Sequence, residues 1–335
     1  MVYIYVKIKG GRSYYYLRAS LKQGKRLVTK DIVYLGLNID EVKEKLSKMP
    51  AKYSSDIRKA YKTLNRFIES NRFIEKVKSM KFKSNSYLSK HLLENIEACK
   101  LHWHSVFEKL DKETKAEIIK NFVIEFAFNT ASIEGNTITL REAKKLFLEH
   151  LTPKDKTLRE VYDLQNTETV FLNLFENLPK DINHEFICEI HQSLLKNIDS
   201  RIGYRTTDVR VFKSQFESTP SPYVFADMKM LLKRYSDYKS KLHPLVLAAI
   251  FHHKFEKIHP FMDGNGRTGR ILMNYIFLSH GYPPIIISQK TRAKYLSALN
   301  QADKLTIDDF DVVKYKELVE FIANEFVSNY WRLFL

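Results

Sequence analysis

The sequence predicts a mainly α-helical protein that begins with a small antiparallel β-sheet. Three observations carry this prediction. Residues 2–9 alternate between apolar and polar side chains, which is the period of a strand with one buried face. After residue 38 the apolar side chains recur at helical spacing instead, and two segments, 244–251 and 271–278, are apolar nearly all round. A polar, glycine-rich loop, "KIHPFMDGNGRTGR" (257–270), joins those two segments.

The first 37 residues predict three strands. The apolar face of the first strand would be formed by Val2, Ile4, Val6 and Ile8. Gly10 and Gly11 signal a hairpin turn, residues 13–21 predict the return strand, and residues 26–36 predict a third strand. The polar face of this sheet mixes Tyr with Lys and Arg. That composition fits stacking on bases and pairing with phosphates, and it fits ordinary strands equally well.

Helix signals follow the sheet. Asn38 with Glu41 three residues later predicts a helix start, and Pro50 predicts its end. Helical patterning then continues to about residue 105, with a polar break at 83–86.

Two further helix starts are predicted as capping boxes, at Thr114 with Glu117 and at Thr139 with Glu142. The apolar spacing predicts later helices at 157–176, 183–197, 225–241, 243–257, 267–280, 291–304 and 312–333. The segment 203–225 has no helical pattern, and its alternation at 207–212 predicts a β-hairpin or flap.

The net charge of +16 is concentrated in the first third of the chain. Residues 1–100 hold 23 Lys and Arg against 9 Asp and Glu, whereas the remaining 235 residues hold 32 against 30. This asymmetry indicates an acidic partner for residues 1–105, with nucleic acid as the first candidate. A solvated basic surface that aids solubility is the alternative.

The composition excludes several classes of protein. A hydrophobic content of 44% fits an ordered globular chain rather than a disordered one. No apolar run reaches the roughly 18 residues of a membrane-spanning helix, and the N-terminus lacks the pattern of a signal peptide. Cys99 and Cys188 stand alone inside predicted helices. We therefore expect a cytoplasmic protein without a membrane partner.

The loop between the two apolar segments has the composition of an anion site. Gly264, Asn265 and Gly266 permit positive φ at up to three successive positions, so backbone N–H groups could converge into a nest. The nest leads into a helix N-terminus, where unpaired N–H groups and the helix dipole favour a phosphate.

The charged residues of the loop suggest what it holds. Arg267 and Arg270 lie three apart and would repel each other unless an anion sat between them, which predicts a polyphosphate. Asp263 could then bind Mg²⁺ on those phosphates, and His259 is suited to accept a proton. The alternatives are a tight helix–helix turn and a zinc site. His252, His253 and His259 make a poor zinc site, because neighbouring histidines on a helix point in different directions.

The loop resembles, at every position, the active-site motif H-x-F-x-[D/E]-G-N-G-R-x-x-R of the Fic (Fic/Doc) family. The matching residues are His259, Phe261, Asp263, Gly264, Asn265, Gly266, Arg267 and Arg270. The resemblance extends over roughly residues 115–305. It implies a Fic-type helical bundle with a β-hairpin flap, and transfer of AMP from ATP to a Ser, Thr or Tyr hydroxyl of a target protein.

The resemblance also implies the role of each residue. His259 would deprotonate the hydroxyl, and Asp263 would hold Mg²⁺. Gly264, Asn265 and Gly266 would surround the α- and β-phosphates, Arg267 would contact the β-phosphate side and Arg270 the γ-phosphate. Phe261 would anchor the loop in the core. Doc-type relatives carry Lys where Gly266 stands and act as kinases, so Gly266 indicates AMP transfer.

A second stretch, "TASIEGN" (130–136), resembles the inhibitory motif [S/T]-x-x-x-E-[G/N] of the same family. Thr130 and Glu134 are four apart on one helical face. The resemblance places Glu134 against Arg270, where its carboxylate would take the place of the γ-phosphate. Inhibition would then be intramolecular.

The sequence therefore predicts three regions: a basic β module at 1–37, a basic helical region at 38–110, and a Fic domain with its inhibitory helix at 111–335, whose core spans about 180–305. Two other functions stay open. The same site could remove AMP from modified proteins, with Glu134 orienting a water. Alternatively, the chain could be a nucleic-acid-binding regulator whose Fic loop senses a nucleotide. A homodimer also stays open.

Overall fold

The structure is a computed structural model that describes residues 2–23, 26–80, 85–178, 181–209, 217–303, 305–306, 309 and 312–335. The chain forms two compact units, each described here by itself. The first consists of Met1–Lys83, Glu97–His102 and Leu335, and the second consists of Ser84–Ile96 and Trp103–Phe334. The region boundaries predicted from the sequence, after residues 37 and 110, stay a prediction.

The first unit contains the three predicted strands. These are β1 (Val2–Lys9), β2 (Arg12–Gln23) and β3 (Arg26–Gly36), which form an antiparallel sheet in the order β1-β2-β3. One face of the sheet is buried, as the alternation predicted, and includes Val2 and Ile4 of β1 and Leu17 of β2. The prediction for Ile8 is wrong, because it lies at the hairpin end of β1 and is 73% exposed.

Helices cover the buried face of this sheet. They are α1 (Ile39–Ser47), α2 (Ala51–Lys59) and α3 (Tyr61–Lys78). The predicted start of α1 is confirmed, because the Asn38 side chain accepts a hydrogen bond from the backbone N–H of Glu41 at 2.9 Å. The chain leaves α1 before Pro50, which stands directly ahead of α2. Apolar residues of β1, β2, α1 and α3 share one core, so sheet and helices fold as one unit.

The second unit is helical. Helix α4 (Lys90–Ser105) contributes to both units. The other helices are α5 (Lys112–Ile133), α6 (Leu140–Leu148), α7 (Leu158–Glu176), α8 (His184–Leu194), α9 (Val224–Tyr238), α10 (Pro244–Ile258), α11 (Asn265–Ser279), α12 (Arg292–Ala302) and α13 (Val312–Leu333). The mainly α-helical class and the helices predicted after residue 157 are confirmed within a few residues at each end.

The two predicted capping boxes have different outcomes. The box of Thr139 and Glu142 at the start of α6 is confirmed in both directions. The box at Thr114 is wrong, because α5 begins two residues earlier. Its N-cap is Asp111, whose carboxylate accepts from the Thr114 N–H at 2.8 Å. Either side chain can cap a helix, and the sequence pattern did not rank them.

Helices α10 and α11 lie at the centre of the second unit and pack against each other. Helices α9 and α13 pack against α10, while α5, α7 and α8 pack against α11. A helix that is apolar on all sides is stable only when neighbours surround it. The polar loop between α10 and α11 is therefore held by the most buried part of the protein. No helix within the described residues is both long and apolar enough to cross a bilayer.

Candidate active site

The loop between α10 and α11 turns through two residues with positive φ. His259, which ends α10, has φ 54°, and Gly264, which precedes α11, has φ 75°. The sequence predicted positive φ at up to three successive positions. Only Gly264 of those three has it, because Asn265 and Gly266 already belong to the first turn of α11. The N–H groups that begin a helix have no intrahelical partner, so this first turn still presents donors to an anion.

The Asn265 side chain crosslinks the loop by two hydrogen bonds to the backbone of Phe261. Its side-chain oxygen accepts from the Phe261 N–H at 2.9 Å, and its side-chain nitrogen donates to the Phe261 carbonyl at 2.8 Å. Phe261 is fully buried, as the resemblance implied for a core anchor. The Asn265 side chain is thus committed to the loop, and its backbone N–H is one of those that begin α11.

His191 of α8 belongs to this site, although no sequence pattern predicted it. Its ring stacks on Phe261 with centroids 3.7 Å apart, and its Nε2–H donates to the Asp263 carbonyl at 3.0 Å. Burial lowers the pKa of His191, so the ring is neutral and acts as a fixed support for the loop. Its position 68 residues before His259 left no local signal for this contact.

The geometry of His259 suits a proton acceptor. Its Nδ1 lies 3.3 Å from the backbone carbonyl of Glu256. Because a carbonyl can only accept, Nδ1 carries the proton and Nε2 keeps its lone pair. Burial lowers the pKa of His259, with the Glu256 carbonyl and neighbouring carboxylates opposing the shift. The imidazole is therefore neutral at pH 7.

Arg267 is held by two carboxylates. One guanidinium nitrogen bonds to Asp163 of α7, and the other lies 3.4 Å from Asp263. Asp163 was not identified from the sequence, because it stands 104 residues before its partner in an ordinary-looking helix. Burial raises the pKa of Asp163, and Arg267 opposes that shift.

Asp263 has further partners. One of its oxygens accepts from the Gly264 N–H at 2.6 Å, and the other pairs with Arg159, which lies one turn before Asp163 on α7. Burial favours the neutral acid, but Arg267, the Gly264 N–H and Arg159 together lower the pKa of Asp263. Asp263 is therefore an ionised carboxylate at pH 7.

Arg270 is fixed by the helix that carries the second motif. Its Nε–H donates to the Thr130 hydroxyl at 2.7 Å, and one terminal nitrogen donates to Glu134 at 2.7 Å. The Arg270 side chain is 3% exposed, whereas that of Glu134 is 43% exposed. The structure therefore brings Thr130, Glu134 and Arg270 together.

A second carboxyl group near Arg270 does not balance its charge. Glu256 lies on α10 with its side chain 16% exposed. Loss of water around most of this side chain raises its pKa to about 8, although Arg270 lowers it. Glu256 is consequently protonated at neutral pH. Glu134 is the carboxylate that pairs with Arg270, and it raises the pKa of the guanidinium against the effect of burial.

In the structure each guanidinium has carboxylate partners, which are Asp163 and Asp263 for Arg267 and Glu134 for Arg270. These ion pairs offset the repulsion between the two arginines. The polyphosphate predicted at this site stays a prediction. Gly266 makes the pair of Arg270 with Glu134 possible, because a Cβ on residue 266 would clash with the Glu134 carboxylate.

The predicted flap is only partly within the described residues. The alternating stretch 207–212 runs into residues 210–216, which lie outside them. The two described limbs nevertheless meet, because the Ser221 N–H donates to Asp208 at 2.7 Å and the Ser218 hydroxyl donates to the Val209 carbonyl at 3.3 Å. A cavity of about 370 Å³ lies between residues 199–207 and Asp263.

Arg205 ties this segment to the end of α10. Its buried guanidinium donates to the His259 carbonyl at 2.8 Å and the Thr207 carbonyl at 3.0 Å, and it also bonds to the carbonyl of Thr219. A cation at a helix C-terminus also stabilises the helix dipole.

We expect Arg205→Met to destabilise the protein by about 3 kcal/mol, because three carbonyls lose a charged donor in a buried place. Urea unfolding measures the change in the free energy of unfolding. The matched control is Arg201→Met, which breaks only an exposed pair with Asp199 and should destabilise the protein far less. Equal losses of stability in the two variants would contradict this account of Arg205.

A family comparison tests the fold and the motif together. The model of the Fic/DOC family matches residues 181–277, which run from the start of α8 to α11 and include the whole loop. This chain carries a Fic/DOC family domain. The resemblance seen in the sequence is confirmed, and α8, α10 and α11 are the helices of that Fic domain that hold the loop.

Curated relatives of the Fic domain are named protein adenylyltransferases. One from Caenorhabditis elegans is 31% identical over 183 residues, which is 53% of this chain and 36% of that protein. One from Drosophila melanogaster is 31% identical over 198 residues, which is 57% of this chain and 39% of that protein. The chain therefore spans well under half the length of the curated relatives it matches.

Solved structures support the Fic fold. A Fic-domain-containing signalling protein from Bacteroides thetaiotaomicron is 26% identical with a TM-score of 0.64, over 70% of this chain and 94% of that one. A segment of Fic-1 from C. elegans is 22% identical with a TM-score of 0.60, over 88% of this chain and 81% of that one. The second likeness concerns the fold alone.

Proposed function

We propose that this chain is a protein adenylyltransferase, which moves AMP from ATP to a Ser, Thr or Tyr hydroxyl of a target protein and is held inactive by its own Glu134. One observation carries the proposal. Arg270, which the family resemblance assigns to the γ-phosphate, is bound by Glu134 of α5, while His259 keeps a neutral imidazole at the mouth of the loop. The curated relatives named as adenylyltransferases support the same reaction.

In the proposed reaction, His259 Nε2 takes the proton from the target hydroxyl as its oxygen attacks the α-phosphorus of ATP. The new oxygen–phosphorus bond forms as the bond from the α-phosphorus to the bridging oxygen breaks, and pyrophosphate leaves. The N–H groups of Asn265 and Gly266 at the start of α11 would hold the phosphates. Arg267 would stabilise negative charge on the leaving group after its ion pair with Asp163 is weakened.

Asp263 is the residue that would hold Mg²⁺. It is ionised, and a magnesium ion bound to a nucleotide commonly needs only one or two protein carboxylates, with phosphates and water as its other ligands. Magnesium would neutralise charge on the phosphates. Within the described residues no cluster of three His, Cys, Asp or Glu could bind a metal without the nucleotide.

Arg159 would compete with the metal for Asp263, because its guanidinium pairs with the outer carboxylate oxygen. We expect Arg159→Ala to lower the Mg²⁺ concentration needed for half-maximal binding by about two- to fivefold, the effect of one exposed ion pair. Titration calorimetry with Mg²⁺ at saturating ATP measures it. Arg159→Lys keeps a cation and should stay near the wild type. A weaker affinity for Mg²⁺ in Arg159→Ala would contradict this competition.

The target would enter beside the loop. The cavity of about 370 Å³ opens next to Asp263 and is bordered by residues 199–207, which lead into the flap segment. An extended stretch of a target could lie along that segment by main-chain hydrogen bonds. This supports a protein substrate with an exposed hydroxyl side chain.

Intact-mass spectrometry after incubation with Mg-ATP tests the function. We expect Glu134→Gly to gain the mass of AMP by self-modification, and the Glu134→Gly/His259→Ala pair to gain nothing. The wild type should gain less than the first variant. If Glu134→Gly instead left self-modification unchanged and abolished removal of AMP from a modified protein, the site would be a deAMPylase.

A further inference from the structure

The outer face of the N-terminal sheet carries a surface that the proposed transferase reaction does not use. The strand register brings Tyr5, Tyr16 and Tyr34 into one row across all three strands. Tyr14 lies beside this row, with its ring centroid 6.4 Å from that of Tyr34, and the Tyr16 and Tyr34 centroids are 5.3 Å apart. The opposite face is the buried one, so these tyrosines do not belong to the core of this unit.

Cations flank the tyrosines on the same face. By the register, Lys7 stands beside Tyr14, and Lys9 is paired with Arg12 one step further out. These three cations are exposed. Residues 1–37 hold eight Lys and Arg against a single acid, Asp31. We call Tyr14, Tyr16 and Tyr34 with Lys7 and Lys9 the tyrosine face.

Two cations are already engaged with these tyrosines, and one of them, Lys45 of α1, lies with its Nζ 4.9 Å from the centroid of Tyr34. The Arg18 guanidinium lies 3.5 Å from the centroid of Tyr5 and donates to Asp31 at 2.6 Å. This contact covers one side of the Tyr5 ring and neutralises Asp31, the single acidic residue of residues 1–37. The remaining charge at this end of the sheet is positive and comes from Lys7, Lys9 and Arg12.

We propose that the tyrosine face binds single-stranded nucleic acid, with bases stacked on Tyr14, Tyr16 and Tyr34 and phosphates held by Lys7 and Lys9. Aromatic rings offer a partner only to bases whose faces are open, and a duplex keeps those faces stacked inside. An acidic protein segment would satisfy the lysines but would leave the tyrosine row without a matching surface. The combination of ring faces and unbalanced positive charge therefore favours a single strand.

The test uses the full chain and a fluorescent single-stranded oligonucleotide of about 12 nucleotides, a length within the usual range of such sites. Fluorescence anisotropy gives the affinity over a range of salt. We expect Tyr34→Leu to weaken binding about tenfold, the loss of one stacked base, with an unchanged salt slope. Tyr34→Phe keeps the ring and should bind as the wild type does.

Substitution of the lysines should change the salt dependence of binding, which the tyrosine substitution should not. Lys7→Gln with Lys9→Gln should flatten the plot of log affinity against log salt by about 0.7 for each phosphate that is no longer neutralised. The control is Tyr61→Leu, which removes an exposed tyrosine on α3, a helix that packs on the opposite side of the sheet from the tyrosine face, and should leave binding unchanged. Circular dichroism confirms that each variant is folded.

Four results would overturn the proposal. They are no binding at low salt, a loss of affinity in Tyr61→Leu as large as in Tyr34→Leu, tighter binding of a duplex of the same sequence, and displacement of the oligonucleotide by polyglutamate of equal charge at equal concentration. The last result would show that charge alone drives the interaction.

Discussion

Glu134→Gly is expected to bind Mg-ATP about tenfold more tightly than the wild type. Glu134 accepts a hydrogen bond of 2.7 Å from Arg270, and a nucleotide must displace it to reach the same guanidinium. A hydrogen bond to a charged group contributes about 1.5–3 kcal/mol, and the 43% exposure of Glu134 places this one at the low end. A gain of about 1.4 kcal/mol corresponds to a factor of ten. Titration calorimetry measures it.

Two neighbouring variants separate charge from shape. Glu134→Gln keeps the side chain's size and should recover most of the gain, because the competition is electrostatic. Thr130→Ala removes the hydroxyl that accepts from Arg270 Nε but leaves Glu134 in place, so its affinity should rise less. If Glu134→Gly and the wild type bound Mg-ATP with equal affinity, the proposed inhibition by Glu134 would be contradicted, even if the variant were active.

His259→Ala, made in the Glu134→Gly background, is expected to lower the rate of AMP transfer at least about 100-fold, the usual contribution of a general base. Its affinity for Mg-ATP should stay unchanged, because His259 is assigned to the target hydroxyl and not to the phosphates. Self-modification followed by intact mass gives the rate, and calorimetry gives the affinity. A variant that loses nucleotide binding as well would contradict this division of roles.

The pH dependence of the rate of AMP transfer is a second test of the role of His259. Burial lowers the pKa of His259, so the neutral, proton-accepting form persists as the pH falls. In Glu134→Gly the rate should therefore stay level through the ordinary histidine range near pH 6.5 and decline only below it. A half-maximal rate at or above pH 6.5 would contradict the lowered pKa.

The local patterns of the sequence were sufficient for most of the secondary structure and for recognising the Fic loop. Alternation over Val2–Lys9 and helical spacing after Asn38 follow from the geometry of single strands and helices, so each could be recognised within a short window. The Fic loop is equally local, because residues 259–270 are contiguous and their spacing carries the motif. The resemblance of "TASIEGN" to the inhibitory motif was local in the same way.

Contacts between residues far apart in the sequence could not be predicted from such local patterns. Asp163 binds Arg267 across 104 residues, and Arg159 reaches Asp263 across the same separation. His191 supports the loop from 72 residues away. No periodicity marks such residues, because their own helix would form without these partners. For the same reason the sequence could not show that Arg267 has a carboxylate partner on another helix.

The sequence by itself thus determined which elements form and where the Fic loop lies, because hydrogen bonding and side-chain spacing within one element depend on neighbouring residues. Only the tertiary structure decided which carboxylate pairs with which arginine, that desolvation raises the pKa of Glu256, and that His259 keeps a lone pair on Nε2. Those outcomes depend on burial and on distances between separate helices, and both are set only when α5, α7 and α8 pack around α10 and α11.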